Sequence, residues 1–168
     1  VEYYAKEAET FLLVDVQKYD GVMMLFNGVG TANHLKNFTE KCIKYNVPAI
    51  SMDVQAPGIA YCGIDNYLST YNITKHLIEE HHVTKLQFVG GPDDHPDSLE
   101  RGMAFCDCLK DHGLEPYGVG YYGFMRASGA QAYQDAKNSG RPMAEAYVCA
   151  NDYNALGFCM AAKEDGLE

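Results

Sequence analysis

Short apolar runs alternate with longer amphipathic segments along most of this chain, and that alternation restricts the fold more than any other feature. The apolar runs predict strands at residues 22–26, 48–52, 59–64, 85–89, 117–122 and 144–150. The amphipathic segments predict helices at residues 2–18, 32–45, 65–80, 98–112, 128–138 and 153–164. Strands separated by helices are typical of parallel sheets with helices on both faces, so we expect an α/β fold.

Two of these segments carry a specific packing expectation. Residues 22–26 are apolar without interruption, which predicts a strand buried on both faces, as in parallel sheets. In the helix at 65–80, the spacing of Ile73, Leu77 and Ile78 predicts that these three side chains form the buried face.

The composition is that of an ordinary globular protein, with 47% hydrophobic and 21% charged residues among 168. No apolar stretch approaches the ~18 residues of a membrane span and no signal peptide is visible, so we expect a cytoplasmic protein without membrane contact. The 13 basic and 23 acidic residues give a net charge of -10, which argues against direct binding of a phosphate backbone. Any DNA contact is expected to come from outside this chain.

The motifs that commonly mark enzymes and metal sites are missing from the sequence. The six cysteines form no C-x-x-C pair, so we expect buried free thiols in a reducing compartment and no metal site or disulfide framework. Gly28-Val29-Gly30 lacks the third glycine of a dinucleotide fingerprint, and the adjacent His81-His82 lacks metalloprotease spacing. We expect no cofactor, and a binding module is favoured over an enzyme.

Polar side chains follow most of the predicted strands. In open parallel sheets, ligands bind outside the carboxyl ends of the strands, which makes these residues candidates for a binding site. They are Asn27, Asp53, Asp65, the segment 93–101 with His95 and Arg101, Phe124 with Arg126, and Asn151 with Asp152. Carboxylates, amides, a guanidinium and an aromatic ring suit a polar small molecule that has one apolar face.

Each candidate also has a structural interpretation. Asp65 is a good helix N-cap, and either Asn151 or Asp152 is expected to cap the last helix. Arg101 lies one turn into its predicted helix, near the acidic loop, so a surface ion pair with Asp97 or Asp94 is an equal alternative to ligand binding. Phe124 also suits the core, and His95 suits a solvated loop.

Seven segments taken together resemble the effector-binding domain of the LacI/GalR repressors, in the same order and with the same spacing, from about residue 19 to the end of the chain. They are Asp20-Gly21-Val22-Met23-Met24, residues 47–53, Gly63-Ile64-Asp65-Asn66, residues 75–78, residues 82–92, Ser98-x-x-Arg101 and residues 149–157. Each segment is weak evidence by itself, but the set is specific.

The resemblance implies a periplasmic-binding-protein-like fold of type I, with a ligand cleft between two lobes. Residues 1–64 would form part of the N-terminal lobe and residues 65–168 most of the C-terminal lobe, with both lobes incomplete in this chain. Family members bind a sugar or similar polar effector, usually form homodimers, and contact DNA through an N-terminal domain that would precede residue 1.

Carried over onto this sequence, the family's ligand-binding positions fall on Asp53, Arg101, Phe124 and Asn151. His95, in the acidic loop, completes our set of candidate ligand-binding residues. Two departures from the family pattern are the His81-His82 pair, where a Gly-His is usual, and Ser69, where a glycine is usual. The acidic loop at 93–97 disfavours sugar phosphates and nucleotides and suits neutral or cationic ligands.

Two alternatives to a transcription regulator remain open at this point. The same sensor fold also occurs fused to a signalling module such as a diguanylate cyclase or histidine kinase, and the acidic loop is similar to such sensors. A small α/β enzyme that uses Asp53 or His95 as acid or base is the third interpretation. It predicts turnover, whereas a sensor shows saturable binding without product.

Overall fold

A computed structural model describes residues 13–25, 32–52 and 54–167 of the chain. The chain divides into two compact units, Val1–Ile64 and Asp65–Glu168. Each unit contains a parallel sheet with helices packed on it, which confirms the predicted α/β fold class. The assignment of the two units to the lobes of a larger fold stays a prediction.

The described residues of unit 1 form three short parallel strands, β1 (Val22–Met24), β2 (Ala49–Ser51) and β3 (Ala60–Tyr61), in that order across the sheet. Helix α1 (Ala32–Lys44) connects the first two. Among the described residues of this unit, Val16, Met24, Phe38 and Cys42 form a buried apolar cluster. The third strand is shorter than the predicted span of 59–64.

Two predictions for unit 1 are wrong within the described residues. The predicted α-helix at 2–18 does not extend to residue 18, because Val16–Lys18 is a short 3-10 helix. Asp15 caps this 3-10 helix by accepting from the N–H of Gln17. Residues 2–12 of that segment lie outside the described residues. Strand β1 is not buried on both faces, because Met23 is 72% exposed while its neighbours Val22 and Met24 pack into the core.

Unit 2 is built on three parallel strands, β4 (Leu86–Gly90), β5 (Gly118–Tyr121) and β6 (Ala146–Cys149), with β4 in the centre. All five residues of β4 are buried, as expected for a central parallel strand. Alternate residues of this strand enter two different clusters, because successive side chains point to opposite faces of a sheet.

Two helices cover each face of this sheet. Helices α2 (Asn66–Glu79) and α3 (Pro96–Asp111) pack on the face that carries Leu86 and Phe88 of β4. Helices α4 (Arg126–Asn138) and α5 (Asp152–Glu164) pack on the opposite face, which carries Val89. The four predicted helices of this unit are therefore present, with small differences at their ends.

The buried face of α2 differs from the predicted one. Ile73 is 50% exposed, while Asn66, Thr70 and Thr74 are buried. Thr74 satisfies its hydroxyl by donating to the carbonyl of Thr70 at 2.8 Å, which allows a polar side chain to take a core position. Leu77 and Ile78 contact the core as predicted.

Helices α4 and α5 approach closely at two glycines. A Cβ atom on Gly129 would lie 2.0 Å from the carbonyl oxygen of Asn154, and one on Gly157 would lie 1.9 Å from that of Arg126. Both contacts are with backbone atoms, which cannot rotate away. Glycine at these positions therefore sets the separation of the two helices.

In the part of the chain that the structure describes, none of the helices combines the length and the apolar character that crossing a bilayer requires.

Candidate functional site

The carboxyl ends of the three strands of unit 2 lie at one edge of its sheet because the strands are parallel. Strand β4 leads into the loop that ends at His95, β5 leads to Phe124, and β6 leads to Asn151. This topology brings four predicted site residues to the same edge. They are His95, Arg101, Phe124 and Asn151, and the contacts below connect them.

Arg101 is the most extensively bonded side chain at this edge. Its Nε and one terminal nitrogen donate to the amide oxygen of Asn66 at 2.9 and 2.7 Å, and the other terminal nitrogen donates to the carbonyl of Ala150. The ion pair with Asp97, which the sequence offered as an alternative role, is present at 3.7 Å. The side chain is 16% exposed, so it is held between α2, α3 and the end of β6.

The contacts of Arg101 change what its guanidinium can do. The sequence predicts Arg101 to be a ligand-binding residue, and a guanidinium can bind two oxygens through neighbouring N–H groups. Here the two neighbouring donors already grip Asn66. Three of the five guanidinium N–H groups make these hydrogen bonds, and the terminal nitrogen that faces Asp97 carries a fourth. One terminal N–H therefore remains for a ligand while the protein contacts persist.

Asn66 is a site residue that the sequence analysis missed. It is the first residue of α2, it is only 5% exposed, and its oxygen receives two hydrogen bonds from Arg101. The preceding Asp65 caps the helix instead, accepting from the N–H of Leu68 at 2.7 Å, which confirms its predicted capping role. An Asp-Asn pair at a helix start was the available signal, since only one of the two residues can be the cap.

Asn151 is also occupied within the protein. Its side-chain oxygen accepts from the N–H of Asn154 at 2.8 Å and so caps α5, while its amide nitrogen donates to the carbonyl of Phe124 at 3.1 Å. The predicted cap of the last helix is therefore Asn151 and not Asp152. One N–H of the Asn151 amide is left for a ligand.

Phe124 packs between the core and the loop at the start of α3. Its ring contacts the buried cluster around Phe88. A Cβ atom on Gly91 would lie 2.1 Å from the ring, so the glycine makes room for it. The ring of His95 meets Phe124 edge-on, with ring centroids 4.9 Å apart and an interplanar angle of 88°. Phe124 is thus half-buried and belongs partly to the core.

Two polar atoms near the start of α3 are buried without a hydrogen-bond partner among the described residues. They are Nδ1 of His95 and the hydroxyl of Ser98, which is fully buried. His95 is the N-cap residue of α3, but its side chain makes no capping hydrogen bond. Buried polar atoms without partners are unusual in native proteins and cost free energy.

The predicted site residue Asp53 lies outside the described residues, as does Asn27. Their roles stay predictions from the sequence. The five candidate ligand-binding residues are therefore not all located by the structure.

Burial keeps two thiols of unit 2, Cys149 and Cys108, in their neutral form. Cys149 lies just before Ala150 and Asn151, and burial, with a smaller effect from Cys159, raises the pKa of its thiol to about 12. Cys108 lies 3.8 Å from Nδ1 of His112, whose Nε2 is 3.2 Å from a carboxylate oxygen of Glu79. Burial raises the pKa of Cys108 to about 11 as well, so neither thiol is ionised near neutral pH.

All six cysteines lie in the described part of the chain and are free thiols. The prediction that they are all buried is wrong, because Cys62 and Cys159 are exposed and two others are half-buried. Among the described residues, no group of three or more His, Cys, Asp or Glu side chains is placed to hold a metal ion.

Comparison with known proteins identifies the family to which this chain belongs. The family model described as "Periplasmic binding proteins and sugar binding domain of LacI family" matches residues 1–168. A curated relative, the HTH-type transcriptional regulator IdnR of Escherichia coli (strain K12), is 24% identical over 171 residues, which cover 98% of this chain and 49% of the relative. The chain thus spans about half the length of that relative.

Two solved structures illustrate the fold. A periplasmic solute-binding protein of an ABC transporter from Actinobacillus succinogenes 130z, with bound D-allose, has a TM-score of 0.81 at 15% identity, with 95% of this chain and 59% of that chain covered. A dimeric Lac repressor with an 11-residue C-terminal deletion has a TM-score of 0.77 at 21% identity, with coverages of 96% and 56%. At these identities the likeness concerns the fold.

Proposed function

We propose that this chain, which belongs to the family of periplasmic binding proteins and LacI-family sugar-binding domains, is the effector-binding domain of a bacterial, cytoplasmic LacI-type transcription regulator. A small polar metabolite binds at the edge of the sheet where Arg101, Asn151, Phe124 and His95 meet. Binding changes the affinity of a separate DNA-binding segment for its operator, and the regulator acts as a homodimer.

The observation that carries this proposal is the connected set of polar groups at the carboxyl edge of unit 2. Asn66 and Ala150 hold the Arg101 guanidinium in one orientation, and Asn151 is tied to the backbone of Phe124. Side chains that are fixed before the ligand arrives favour binding, because ordering them afterwards costs affinity. Here one N–H of Arg101 and one of Asn151 are already fixed in place.

The chemistry of these residues favours a neutral polyhydroxylated ligand. Single N–H donors from Arg101 and Asn151 suit hydroxyl oxygens, and the ring of Phe124 suits the apolar face of a sugar. The exposed carboxylates of Asp93 and Asp94 disfavour phosphorylated ligands. D-allose bound to the solute-binding neighbour supports this ligand class.

Two observations favour a cytoplasmic regulator over a secreted binding protein. All six cysteines are free, which suits a reducing compartment. The curated relative is a transcriptional regulator, and this chain covers 49% of its length, which leaves room for a separate DNA-binding segment in a protein of similar size. The net charge of -10 argues against DNA contact by this chain itself and so supports such a segment.

The mechanism of such a regulator is a shift between two arrangements of the protein. An effector changes the population of the DNA-binding arrangement only if it binds one arrangement more tightly than the other. Asp53, the remaining candidate ligand-binding residue, contributes to this preference in our proposal on the strength of the family resemblance.

The first experiment is a thermal-shift screen of the full-length protein that contains this chain, using monosaccharides, sugar acids, nucleosides, amino acids and polyamines. A ligand at 100 times its dissociation constant stabilises a protein by about 2.7 kcal/mol. We expect a neutral sugar to raise Tm, and the rise to disappear in Arg101→Lys and Phe124→Leu. The control is Lys110→Gln, an exposed charge change on the same helix as Arg101.

The second measurement is the affinity of the full-length protein for its own promoter DNA with and without the identified ligand. A change of affinity supports the regulator. Ligand binding without any effect on DNA favours the second candidate, a solute-binding or signalling protein, for which the D-allose-bound neighbour is the supporting observation. Conversion of the ligand to product, abolished in His95→Ala, would instead establish an enzyme.

A further inference from the structure

Two exposed imidazoles meet at the end of α2. His76 lies in the last turn of the helix, and His81 lies two residues beyond its last residue, Glu79. Their Nε2 atoms are 3.2 Å apart, and their rings meet edge-on with centroids 4.9 Å apart. We propose that this pair is a binding site for a divalent transition-metal ion of the Zn²⁺, Ni²⁺ or Cu²⁺ class.

The separation of the two nitrogen atoms matches a shared metal ion. Zn–N bonds are about 2.0–2.1 Å long, so two imidazole nitrogens on one ion lie about 2.9 Å apart at a right angle and about 3.3 Å apart at the tetrahedral angle. The observed 3.2 Å falls between these values. Neutral imidazole nitrogen is also the donor that this class of ion prefers.

The charge around the pair favours a cation. The C-terminal end of a helix carries a partial negative charge, and the two histidines flank that end of α2. Glu79 and Glu80 lie between them in the sequence. Glu79 is itself engaged by Lys75 at 3.7 Å and His112 at 3.2 Å, so it contributes charge nearby without being placed as a ligand.

Water completes the coordination in this proposal, because the described residues contain no group of three or more ligand-type side chains around a common point. Because only two ligands come from the protein and the other coordination positions of the metal are open to water, the site binds and exchanges its metal readily. It is also separate from the effector site. Asn66, which contacts Arg101, is the first residue of α2, and His76 lies ten positions later in its last turn, so the two sites are at opposite ends of the helix.

The metal would join the last turn of α2 to the segment that leads into β4. His81 precedes Leu86, the first residue of that strand, by five positions. The two histidines are five residues apart, one more than the usual spacing of ligands on a single helix face. They meet because the helix ends between them, with Glu80 as its C-cap.

A direct hydrogen bond between two neutral imidazoles has a similar length, and titration with metal distinguishes the two interpretations. The experiment uses the full-length protein without any purification tag, freed of metal by dialysis against a chelator. Zn²⁺ is titrated by calorimetry into the wild type, His76→Gln, His81→Gln and the control His82→Asn. His82 is exposed and adjacent, and its φ of 56° is a value that Asn tolerates.

We expect one Zn²⁺ per chain in the wild type and in His82→Asn. Loss of a group that merely supports a metal ligand weakens metal affinity by about 10–100-fold. Loss of the ligand itself should therefore lower the Zn²⁺ affinity of the His76 and His81 variants by at least about tenfold. Mg²⁺ should not compete, because it prefers oxygen ligands. Wild-type affinity retained in His76→Gln or His81→Gln, or lost equally in His82→Asn, would overturn the proposal.

Electron paramagnetic resonance of the Cu²⁺-loaded wild type gives a second readout that needs no variant. Two equivalent imidazole nitrogens in the hyperfine pattern support the pair. A single nitrogen, or a spectrum identical to that of aqueous Cu²⁺, contradicts it. Neither measurement depends on the proposed effector or on DNA binding, so the two proposals fail independently.

Discussion

The guanidinium of Arg101 holds the side-chain oxygen of Asn66 with two donors, at 2.9 and 2.7 Å, and thereby joins the first residue of α2 to the second turn of α3. Both side chains are largely removed from solvent. The pair places a positive charge at the carboxyl edge of the sheet and leaves it partly available to a ligand. The strength of the Arg101–Asn66 interaction is therefore relevant both to stability and to the proposed ligand binding.

Removal of this pair should reveal an energetic coupling between the two residues. In a cycle of Arg101→Met, Asn66→Ala and the double variant, we expect a coupling free energy of about 1–3 kcal/mol, because the residues are in direct contact. Urea unfolding measures it. In the control cycle, Asn72→Ala takes the place of Asn66→Ala, since Asn72 is an exposed asparagine on the same helix. The effects of Arg101→Met and Asn72→Ala on the free energy of unfolding should add to within about 0.5 kcal/mol. Additivity of Arg101 with Asn66 as well would contradict the observed contact.

Loss of the α5 cap should destabilise the protein through Asn151. Asn151→Ala removes the acceptor for the N–H of Asn154 and should lower the free energy of unfolding by about 1 kcal/mol. Asn151→Ser keeps a capping oxygen and should cost less. Asp152→Ala is the matched control, since Asp152 is exposed and its acidic group lies in the first turn of the helix without being the cap. A larger loss of stability in Asp152→Ala than in Asn151→Ala would contradict the assignment of Asn151 as the cap.

A methyl group at Gly129 should separate α4 from α5. Alanine favours a helix over glycine by up to about 1 kcal/mol, so Gly129→Ala would stabilise the protein if space were available. The backbone of Asn154 occupies that space, and overpacking should make the net effect a loss of about 1–3 kcal/mol.

The sign of this change is the informative result, and it is measured by thermal and urea unfolding. Gln131→Ala, an exposed change on the same helix, should stay within about 0.5 kcal/mol of the wild type. Stabilisation by Gly129→Ala would show that the two helices can move apart without cost.

Glu145 should make stability depend on pH in the acid range. Its carboxylate accepts from the N–H groups of Thr84 at 2.8 Å and Lys85 at 3.0 Å, and these bonds hold its pKa below the ordinary value of 4.5. Because the folded pKa is lowered, the contribution of Glu145 is present above about pH 4.5 and is lost as the pH falls through the folded pKa.

The variant Glu145→Gln lacks this titration and should lose stability less steeply below pH 4.5 than the wild type does. The measurement is the urea midpoint at a series of pH values. Glu164→Gln, an exposed carboxylate change on α5, is the control and should follow the wild type. Parallel curves for wild type and Glu145→Gln would show that the two backbone bonds do not affect the pKa of this carboxylate.

Several features of the site were predictable because they depend on local sequence. Helices and strands repeat apolar residues at different periods, which identified every strand and helix of unit 2. Asp65 was recognisable as a cap because short polar side chains at a helix start bond the first free N–H groups. The residues that follow parallel strands gather at one edge, which is why Arg101, Phe124 and Asn151 were candidates.

Other features depend on contacts between residues distant in sequence. Ile73 has helical spacing with Leu77, yet it is 50% exposed, because the orientation of α2 is decided by its packing against α3 and the sheet. Nothing local to Arg101 shows that its two neighbouring donors are taken by Asn66, which is 35 residues away. His76 and His81 meet only because α2 ends between them.

The sequence by itself therefore determined the α/β class, the order of the elements in unit 2 and the resemblance to the family, since all three follow from periodicity and from motifs along the chain. The tertiary structure decided which polar groups are already satisfied by the protein and which remain for a ligand. Hydrogen-bond partners are set by distances of about 3 Å between atoms. Such distances arise only when separate helices and strands pack against one another.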